Sequence, residues 1–263
     1  MRITVLGKSP AWQDAGGACS GYLVEEGDTR LLVDCGSGVF AKLRQHLDYL
    51  ELDAAVISHM HADHFADLLP YSYGLLLTYR QQPVPVAGHH GTEDPVRPRL
   101  ILPPAGPQAL NTICGLFGDE RLVEEGFRME GYDAGSELQI GPLALRFAEV
   151  PHYVLTYAIE ITGPDGRRFV FGADCAPNEA IVEFARDADL LMIEATLPRP
   201  ERAGPRGHLT PGEAGDHARR AGAKRVVLTH FSDELDPEWV QAEGEKGYGG
   251  PVEMAADGAR FEL

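Results

Sequence analysis

The feature that most constrains this chain is a cluster of three histidines and an aspartate between positions 59 and 64. The cluster directly follows the apolar run 54–57, which has the length and composition of a buried strand. His59 and His61 lie two positions apart, so their side chains project to the same side if the strand direction continues. Zinc and related divalent ions bind imidazole and carboxylate groups of this kind. The predicted metal ligands are therefore His59, His61, Asp63 and His64.

Four further polar side chains follow predicted strands and extend this set of candidate ligands. They are His152, Asp174, His208 and His230. Strand ends along one edge of a sheet hold such side chains together on a rigid frame. Our hypothesis is a site for two divalent metal ions. One ion would be bound by His59, His61 and His152, and the second by Asp63, His64 and His230, with Asp174 bridging the two.

A two-ion site of this composition has the properties of a catalytic centre. Three or four protein ligands for each ion leave a position for water. Two ions about 3.5–4 Å apart can share a hydroxide nucleophile and clamp the oxygens of the reacting group. We expect zinc because imidazoles dominate the ligands, and carboxylates at the second position keep manganese as an alternative. The remaining histidines are expected to be surface or packing residues: His46, His89, His90 and His217.

Asp34 ends another predicted strand, and two interpretations of it are open. Its carboxylate either caps the helix that follows or orients a histidine of the metal site from behind. The cysteines do not bear on the site, because none of the four forms a Cys-x-x-Cys pair. Neither a thiolate zinc site nor a disulfide framework is therefore expected.

The charge of the chain restricts its partners. A formal net charge of −17 repels polyanions, so an extended nucleic acid is not an expected partner. A small anionic substrate stays compatible, because bound cations would reverse the field at the site itself. No apolar run approaches the length of a membrane span, and the first residues lack the features of a signal peptide. The expectation is a cytoplasmic protein without a membrane partner.

The order of predicted elements is a run of strands followed by helices, and it occurs twice. This order favours an α+β fold in which two sheets pack face to face with helices outside, a four-layer αββα sandwich. No linker divides the chain, so one domain is expected over residues 1–263. The first half predicts strands at 2–6, 21–26, 29–35, 54–57 and 99–103 and helices ending near 46, 80 and 117. The second half predicts strands near 126–131, 137–140, 143–150, 157–161, 168–171, 190–193 and 225–228 and helices near 178–186, 211–221 and 237–245. The segment Gln81–Arg99 is rich in Pro, Gly and His and is predicted to be a loop with the composition of a lid.

The order of the candidate ligands resembles the metallo-β-lactamase superfamily. The resemblance rests on His59-x-His61-x-Asp63-His64, followed by His152, Asp174 and His230. It implies the αββα fold and a dinuclear hydrolase site that usually holds zinc. Ala62 stands where the oxygen-reducing diiron branch has a glutamate, which argues against that activity.

Two C-terminal segments resemble the ribonuclease Z-like phosphodiesterases of that superfamily. They are Gly207-His208-Leu209-Thr210-Pro211-Gly212-Glu213 and Arg225-Val226-Val227-Leu228-Thr229-His230-Phe231. In that group the histidine at the position of His208 assists proton transfer near the scissile phosphate. The aspartate at the position of Asp63 binds metal and also takes part in proton transfer. The resemblance therefore implies that Asp63 and His208 are catalytic.

The interval between His152 and Asp174 distinguishes the chain from ribonuclease Z enzymes that grip tRNA with a long arm. It holds 21 residues, which a simple hairpin occupies. This armless layout is similar to bacterial cyclic-nucleotide phosphodiesterases of the atypical, metallo-β-lactamase-fold type. The leading expectation is a phosphodiesterase that cleaves a small substrate such as a 3′,5′-cyclic nucleotide with a metal-bridging hydroxide. The alternatives are a ribonuclease Z-like RNA 3′-processing endonuclease, a carbonyl hydrolase of lactonase, thioesterase or β-lactam type, and a metal-bearing binding protein without catalysis. A homodimer is expected from the resemblance alone.

Overall fold

The structure, a computed structural model, describes residues 1–86 and 89–263. The strands are β1 (Arg2–Gly7), β2 (Gly21–Glu26), β3 (Thr29–Val33), β4 (Ala54–Val56), β5 (Pro85–Val86), β6 (His89–His90), β7 (Arg99–Leu102), β8 (Arg128–Gly131), β9 (Glu137–Ile140), β10 (Leu143–Val150), β11 (Thr156–Thr162), β12 (Arg168–Phe171), β13 (Leu190–Glu194), β14 (Val226–Thr229), β15 (Glu253–Met254) and β16 (Arg260–Glu262). The helices are α1 (Val39–Leu43), α2 (Ala62–Phe65), α3 (Leu68–Leu77), α4 (Gly106–Gly115), α5 (Leu122–Gly126), α6 (Glu179–Phe184), α7 (Pro211–Ala221) and α8 (Pro237–Tyr248). Short 3₁₀ turns lie at Tyr49–Glu51 and Tyr79–Gln81.

Two seven-stranded mixed sheets form the centre of the described chain. The first sheet has the strand order β16-β1-β2-β3-β4-β7-β8, and the second has the order β15-β14-β13-β12-β11-β10-β9. Their inner faces share one apolar core, in which the rings of Tyr22 and Phe171 lie 5.0 Å apart. Helices α1, α3 and α4 cover the outer face of the first sheet, and α6 and α7 cover that of the second. The predicted α+β, four-layer αββα sandwich is confirmed.

The alternation of side chains explains why both faces of each sheet are apolar. In β13, Leu190 and Met192 pack in the core between the sheets, whereas Leu191 and Ile193 pack under the helices. Successive side chains of a strand point to opposite faces, so a strand covered on both sides reads as a continuous apolar run. The expectation that one domain spans residues 1–263 stays a prediction.

Parallel strands in both sheets direct their C-terminal ends to the same edge of the sandwich. β3 pairs with β4 in parallel, and Val33 lies opposite Val56. In the second sheet β12, β13 and β14 run parallel, and Glu194 lies opposite Thr229. The loops that follow these strands therefore meet at one edge, which carries the candidate site.

The prediction of one helix that ends near residue 80 is wrong in its continuity, because the chain forms two helices there. Helix α2 ends at Phe65, α3 begins at Leu68, and a 3₁₀ turn replaces the last predicted turn. The N–H of Asp67 donates to the carbonyl oxygen of Cys35, and its carboxylate accepts from the N–H of Phe40. These bonds to the neighbouring loop hold Asp67 outside a continuous helix and so fix the position of α2.

The segment Gln81–Arg99 contains the short hairpin β5–β6 in addition to the predicted loop. Residues 87 and 88 lie outside the described part of the chain, and so do the side chains of His89 and His90. The lid function of this segment stays a prediction. Within residues 1–86 and 89–263, none of the helices has both the length and the apolar composition that crossing a membrane requires.

Candidate metal centre

The structure brings every predicted site residue to the shared edge of the two sheets. His59 follows β4, His152 follows β10, Asp174 follows β12 and His230 follows β14. Three residues at these turns have a left-handed backbone: Asp34 (φ 59°), Ala173 (φ 52°) and His230 (φ 55°). Such a conformation costs a non-glycine residue of the order of 1–3 kcal/mol and is retained where the site demands it. The turns aim side chains from both sheets at one point.

Three imidazoles form the first cluster of donor atoms. The Nε2 atoms of His59 and His152 lie 3.1 and 3.0 Å from Nδ1 of His61. The other ring nitrogen of His152 donates to the carbonyl oxygen of Gly207 at 2.7 Å, which leaves its Nε2 as an electron-pair donor. Burial lowers the pKa of all three histidines, so the neutral form that binds metal is favoured. Three convergent neutral imidazoles fit a divalent ion such as zinc.

The second cluster consists of Asp63, His64, Asp174 and His230. Nε2 of His64 lies 3.4 Å from a carboxylate oxygen of Asp63 and 3.4 Å from one of Asp174. Nε2 of His230 lies 3.3 and 3.5 Å from oxygens of the same two carboxylates. The Nε2 atom of His64 is buried and has no hydrogen-bond partner among the described residues. An orphaned donor atom between two carboxylates fits a cation at this point.

The carboxylates and His64 influence each other's protonation. Burial alone lowers the pKa of His64, but the negative charges of Asp174 and Asp34 outweigh it and raise that pKa well above the usual value. Burial likewise opposes ionisation of Asp63, whereas the neighbouring imidazoles of His230 and His64 lower its pKa far below the usual range. A proton and a divalent cation therefore compete for Nε2 of His64, as expected for a metal ligand among carboxylates.

Asp174 lies between the two clusters. One of its oxygens is 3.4 Å from Nε2 of His64 in the second cluster. The same oxygen is 3.9 Å from Nε2 of both His59 and His152 in the first cluster. The structure thus places this carboxylate within reach of both sets of donor atoms, where the hypothesis requires it.

Asp34 supports the metal site from behind, which decides between its two interpretations. Its carboxylate accepts from Nδ1 of His64 at 2.6 Å and from the N–H of Ser58 at 2.8 Å. Helix α1 has Gly38 at its N-cap, so Asp34 does not cap that helix. Gly36 lets this loop approach the histidine motif, because a Cβ there would lie 1.8 Å from the carbonyl oxygen of Asp63.

His208 lies beside the clusters and is held by a buried carboxylate that the sequence analysis missed. Its Nδ1 is 3.0 Å from Oε1 of Glu194, a side chain with 1% exposure at the end of β13. Glu194 also accepts from the N–H of Cys175 and the hydroxyl of Thr196, and that hydroxyl contacts Nδ1 of His230 at 2.9 Å. A charged residue at the end of the apolar run 190–193 was the available signal, the same signal that Asp34 gives after β3.

The protonation of His208 is governed by that carboxylate. Burial lowers the pKa of His208, but the hydrogen bond and charge of Glu194 and the charge of Asp174 overcome this and raise it to about 9. His208 also belongs to two further groups of donor atoms that overlap the clusters, one with His152 and Asp174 and one with Glu194 and His230. At neutral pH the cationic form of the His208 imidazole is therefore favoured beside the clusters.

A cavity of about 630 Å³ opens over this edge. It is lined by Pro10, Ala11, Trp12, His61, Ala62, Asp63, Tyr153, Asp174, Thr196, Leu197, Pro198, His208, His230, Ser232, Glu234 and Leu235. The ring of Tyr153 packs 4.9 Å from that of His152. A Cβ at Gly207 would lie 2.3 Å from the Tyr153 ring. Only glycine at position 207 leaves room for this ring next to the ligands. A cavity of this size accommodates a small molecule.

His217 lies away from this edge, and its environment differs from that of the site histidines. Nε2 of His217 accepts from the N–H of Asn178 at 3.0 Å, and Nδ1 donates to the carbonyl oxygen of Glu213 at 2.7 Å. Both ring nitrogens are satisfied by the backbone, so this histidine has no donor atom to offer a metal.

Comparisons with known proteins identify relatives of this chain. A family model described as a beta-lactamase superfamily domain matches residues 29–231. The probable metallo-hydrolase YhfI of Bacillus subtilis (strain 168) is 30% identical over the full length of both chains. The ribonuclease Z of Myxococcus xanthus (strain DK1622) is 30% identical over 100% of this chain and 98% of its own.

Solved structures show the same fold. The crystal structure of the metallo-beta-lactamase fold protein YhfI from Bacillus subtilis superposes with a TM-score of 0.84, covers 99% of both chains and is 27% identical in that alignment. Human tRNase Z, short form, has a TM-score of 0.73 at 22% identity, covers 100% of this chain and 99% of its own, and supports the fold alone. The chain therefore belongs to the beta-lactamase superfamily, a family of metal-dependent hydrolases with the metallo-β-lactamase fold.

Proposed function

We propose that the protein is a metal-dependent phosphodiesterase that cleaves a small substrate such as a 3′,5′-cyclic nucleotide. The observation that supports this most is His208 on the wall of the cavity that the donor clusters share, with its Nδ1 held by the buried carboxylate of Glu194. Hydrolysis of a phosphodiester needs a donor of a proton to the leaving alkoxide as well as an activated water molecule. A carboxylate-held imidazolium beside a metal centre meets the first need.

The residues that we propose as metal ligands are the two clusters described above. His59, His61 and His152 would hold one ion, and Asp63, His64 and His230 the other, with Asp174 shared between them. Zinc suits the imidazole-rich cluster, and manganese is compatible with the carboxylates of the other. When bound, two such ions would activate water and neutralise the phosphoryl oxygens.

The role of His208 follows from its contacts. Nδ1 faces Glu194 at 3.0 Å, which leaves Nε2 for the substrate. With a pKa of about 9, the ring is protonated at neutral pH and can give this proton to a leaving oxygen. Glu194 keeps the ring in one orientation, since its carboxylate is itself held by the N–H of Cys175. The carboxylate of Asp63 would bind metal and would also take part in proton transfer.

Two features support a small substrate over a long RNA. The net charge of −17 opposes a polyanion outside the immediate site. Strands β11 and β12, with the turn between them, occupy most of the interval from His152 to Asp174, where an extended arm would otherwise fit. The similarity to a protein named ribonuclease Z makes RNA 3′-end cleavage the second candidate.

The test is a substrate panel on protein loaded with zinc or manganese. We expect hydrolysis of bis-p-nitrophenyl phosphate and cyclic AMP. His208→Ala should lower kcat by about 10²–10⁴-fold with metal content unchanged, because the proton donor is lost and the ligands remain. His46→Ala is the matched control, since His46 is an exposed histidine outside the site.

The other outcomes separate the alternatives. Cleavage of a tRNA precursor in preference to the small diesters would favour the ribonuclease. Hydrolysis of lactones or thioesters that survives His208→Ala would favour a carbonyl hydrolase. Full metal occupancy with no phosphodiester cleavage would contradict the proposal.

A further inference from the structure

The residues that line the cavity form two groups of different chemistry, here called its polar end and its apolar end, and the proposed reaction uses the first. The polar end carries His61, Asp63, Asp174, His208 and His230. The other end is apolar and is lined by Pro10, Ala11, Trp12, Leu197, Pro198 and Leu235. A phosphodiester group at the polar end fills a small part of about 630 Å³. The apolar end therefore has room for a part of the substrate that does not react.

Trp12 provides the aromatic surface of the apolar end. Its side chain is 51% exposed, although it lines the cavity. Within residues 1–86 and 89–263 it takes part in no hydrogen bond or ring contact. Tyr153, in contrast, is already engaged, because its ring packs on His152 and its hydroxyl donates to Glu201. An unpaired indole face beside a ligand cavity is a surface on which a planar aromatic group stacks.

The loop that carries Trp12 is fixed to the loop that carries His230. The buried ammonium group of Lys8 donates to carboxylate oxygens of Asp14 and Asp233, both at 2.7 Å, and to the carbonyl oxygen of Phe231 at 3.0 Å. Asp14 also accepts from the hydroxyl of Ser232 at 3.0 Å. These bonds hold residues 8–14 against residues 231–233, so the loop that carries the indole is positioned before a ligand arrives. A pre-positioned surface lowers the entropy cost of binding.

The negative charge of Glu234 indicates which planar group fits the apolar end. Glu234 lines the cavity, is exposed, and has a carboxylate without an ion pair or hydrogen bond in the described chain. A free carboxylate repels a second phosphate and accepts hydrogen bonds from N–H groups. A heteroaromatic base with amino or imino groups suits both the indole and this carboxylate.

We propose, on the basis of the proposed function, that the apolar end is a nucleobase subsite in which Trp12 is the stacking residue. The phosphodiester of the substrate lies at the metal clusters while its base lies on the indole. Trp12 thereby selects nucleotide esters over other small phosphodiesters.

Fluorescence tests this binding without any turnover. The chain has two tryptophans, so Trp239→Phe leaves Trp12 as the reporter, and Trp12→Phe leaves Trp239, which lies on α8. We expect adenosine 5′-monophosphate to quench Trp12 emission saturably and inorganic phosphate to leave it unchanged. The Trp12→Phe protein should respond to neither. Equal responses to nucleotide and phosphate, or no response of Trp12, would overturn the proposal.

A pair of substrates tests specificity. Trp12→Ala should raise KM for thymidine 5′-(p-nitrophenyl phosphate) by roughly fivefold to a hundredfold, the range expected for one stacked base. KM for methyl p-nitrophenyl phosphate, which has no base, should not change. Trp12→Phe should recover most of the loss, and Trp239→Ala is the control that should leave both esters unaffected. An equal rise for both esters would contradict a base-binding role. If neither ester is hydrolysed, the phosphodiesterase proposal fails, and the fluorescence titration still decides the subsite.

Discussion

Asp34 in the first sheet and Glu194 in the second use the same device for different purposes. Each is a buried carboxylate at the end of a central parallel strand, and each accepts from Nδ1 of a histidine, His64 or His208. Each also accepts from a backbone N–H, that of Ser58 or of Cys175, which fixes the carboxylate itself. The two halves of the sandwich therefore supply equivalent supports to one site.

The difference lies in the second nitrogen of each imidazole. Nε2 of His64 is fully buried between Asp63 and Asp174 and has no hydrogen-bond partner in the described part of the chain. His208 has 17% of its side chain exposed and lines the cavity. A buried nitrogen among carboxylates suits a cation, whereas one that faces the cavity suits proton exchange with a substrate. The surroundings of Nε2, more than the carboxylate partner, therefore distinguish His64 as the proposed metal ligand from His208 as the proposed acid.

The largest effect is expected for Asp34→Ala. The change leaves His64 and the N–H of Ser58 without their buried partner, so the free energy of unfolding should fall by about 3–5 kcal/mol. Metal content should fall as well, since His64 loses its orientation. Urea unfolding and metal analysis measure the two effects. Ser20→Ala is the matched control, because it removes only the 3.3 Å contact to the same carboxylate and should cost about 1 kcal/mol or less. If the two variants were equally stable, Asp34 would not be the buried support of His64 that the comparison with Glu194 requires.

Glu194→Gln should leave the metal content unchanged and lower kcat by about 10–100-fold. The pH dependence of kcat is the stronger test of whether His208 is the acid. Glu194 raises the pKa of His208 to about 9. The ring can therefore donate a proton below that pH, and kcat should fall above it. Without the carboxylate charge, the alkaline fall of kcat should move to lower pH. A profile that keeps its alkaline limb in place would show that His208 is not the acid.

The smallest effect is expected for His217→Ala, which removes a histidine whose two ring nitrogens are both satisfied within the protein. The N–H of Asn178 loses its acceptor, and the free energy of unfolding should fall by about 1 kcal/mol. Metal content and kcat should stay at the level of the unchanged protein. A loss of bound metal in this variant would contradict the assignment of the site to one edge of the sandwich.

The fold and the convergence of the ligands could be predicted because both depend on local patterns. Apolar runs mark strands, and the polar residues that follow them, such as His59, Asp174 and His230, meet wherever parallel strands share an edge. The capping-box sequence Thr210-x-x-Glu213 likewise marks the start of α7, which the structure places at the predicted residue.

The supporting residues were harder to recognise, because their role depends on contacts between distant segments. Glu194 ends a strand, and only the fold brings it to His208 and Thr196. Asp34 had two interpretations for the same reason, since His64 lies 30 positions further along the chain and the sequence carries no signal of their contact. Trp12 carries no signal of a role in the sequence, and only the fold brings it to the lining of the cavity that the candidate ligands share.

Both donor clusters draw on both sheets, and this has a consequence for the lifetime of the protein. His59 and His61 follow a strand of the first sheet and His152 follows one of the second, and Asp63 and His64 face His230 in the same way. An ion at either position would cross-link the two layers, and a ligand that binds only the native state lowers the equilibrium fraction of unfolded chains by mass action. The supply of metal in the cell would then set the rate at which proteases remove the protein, in addition to the fraction of molecules that are active.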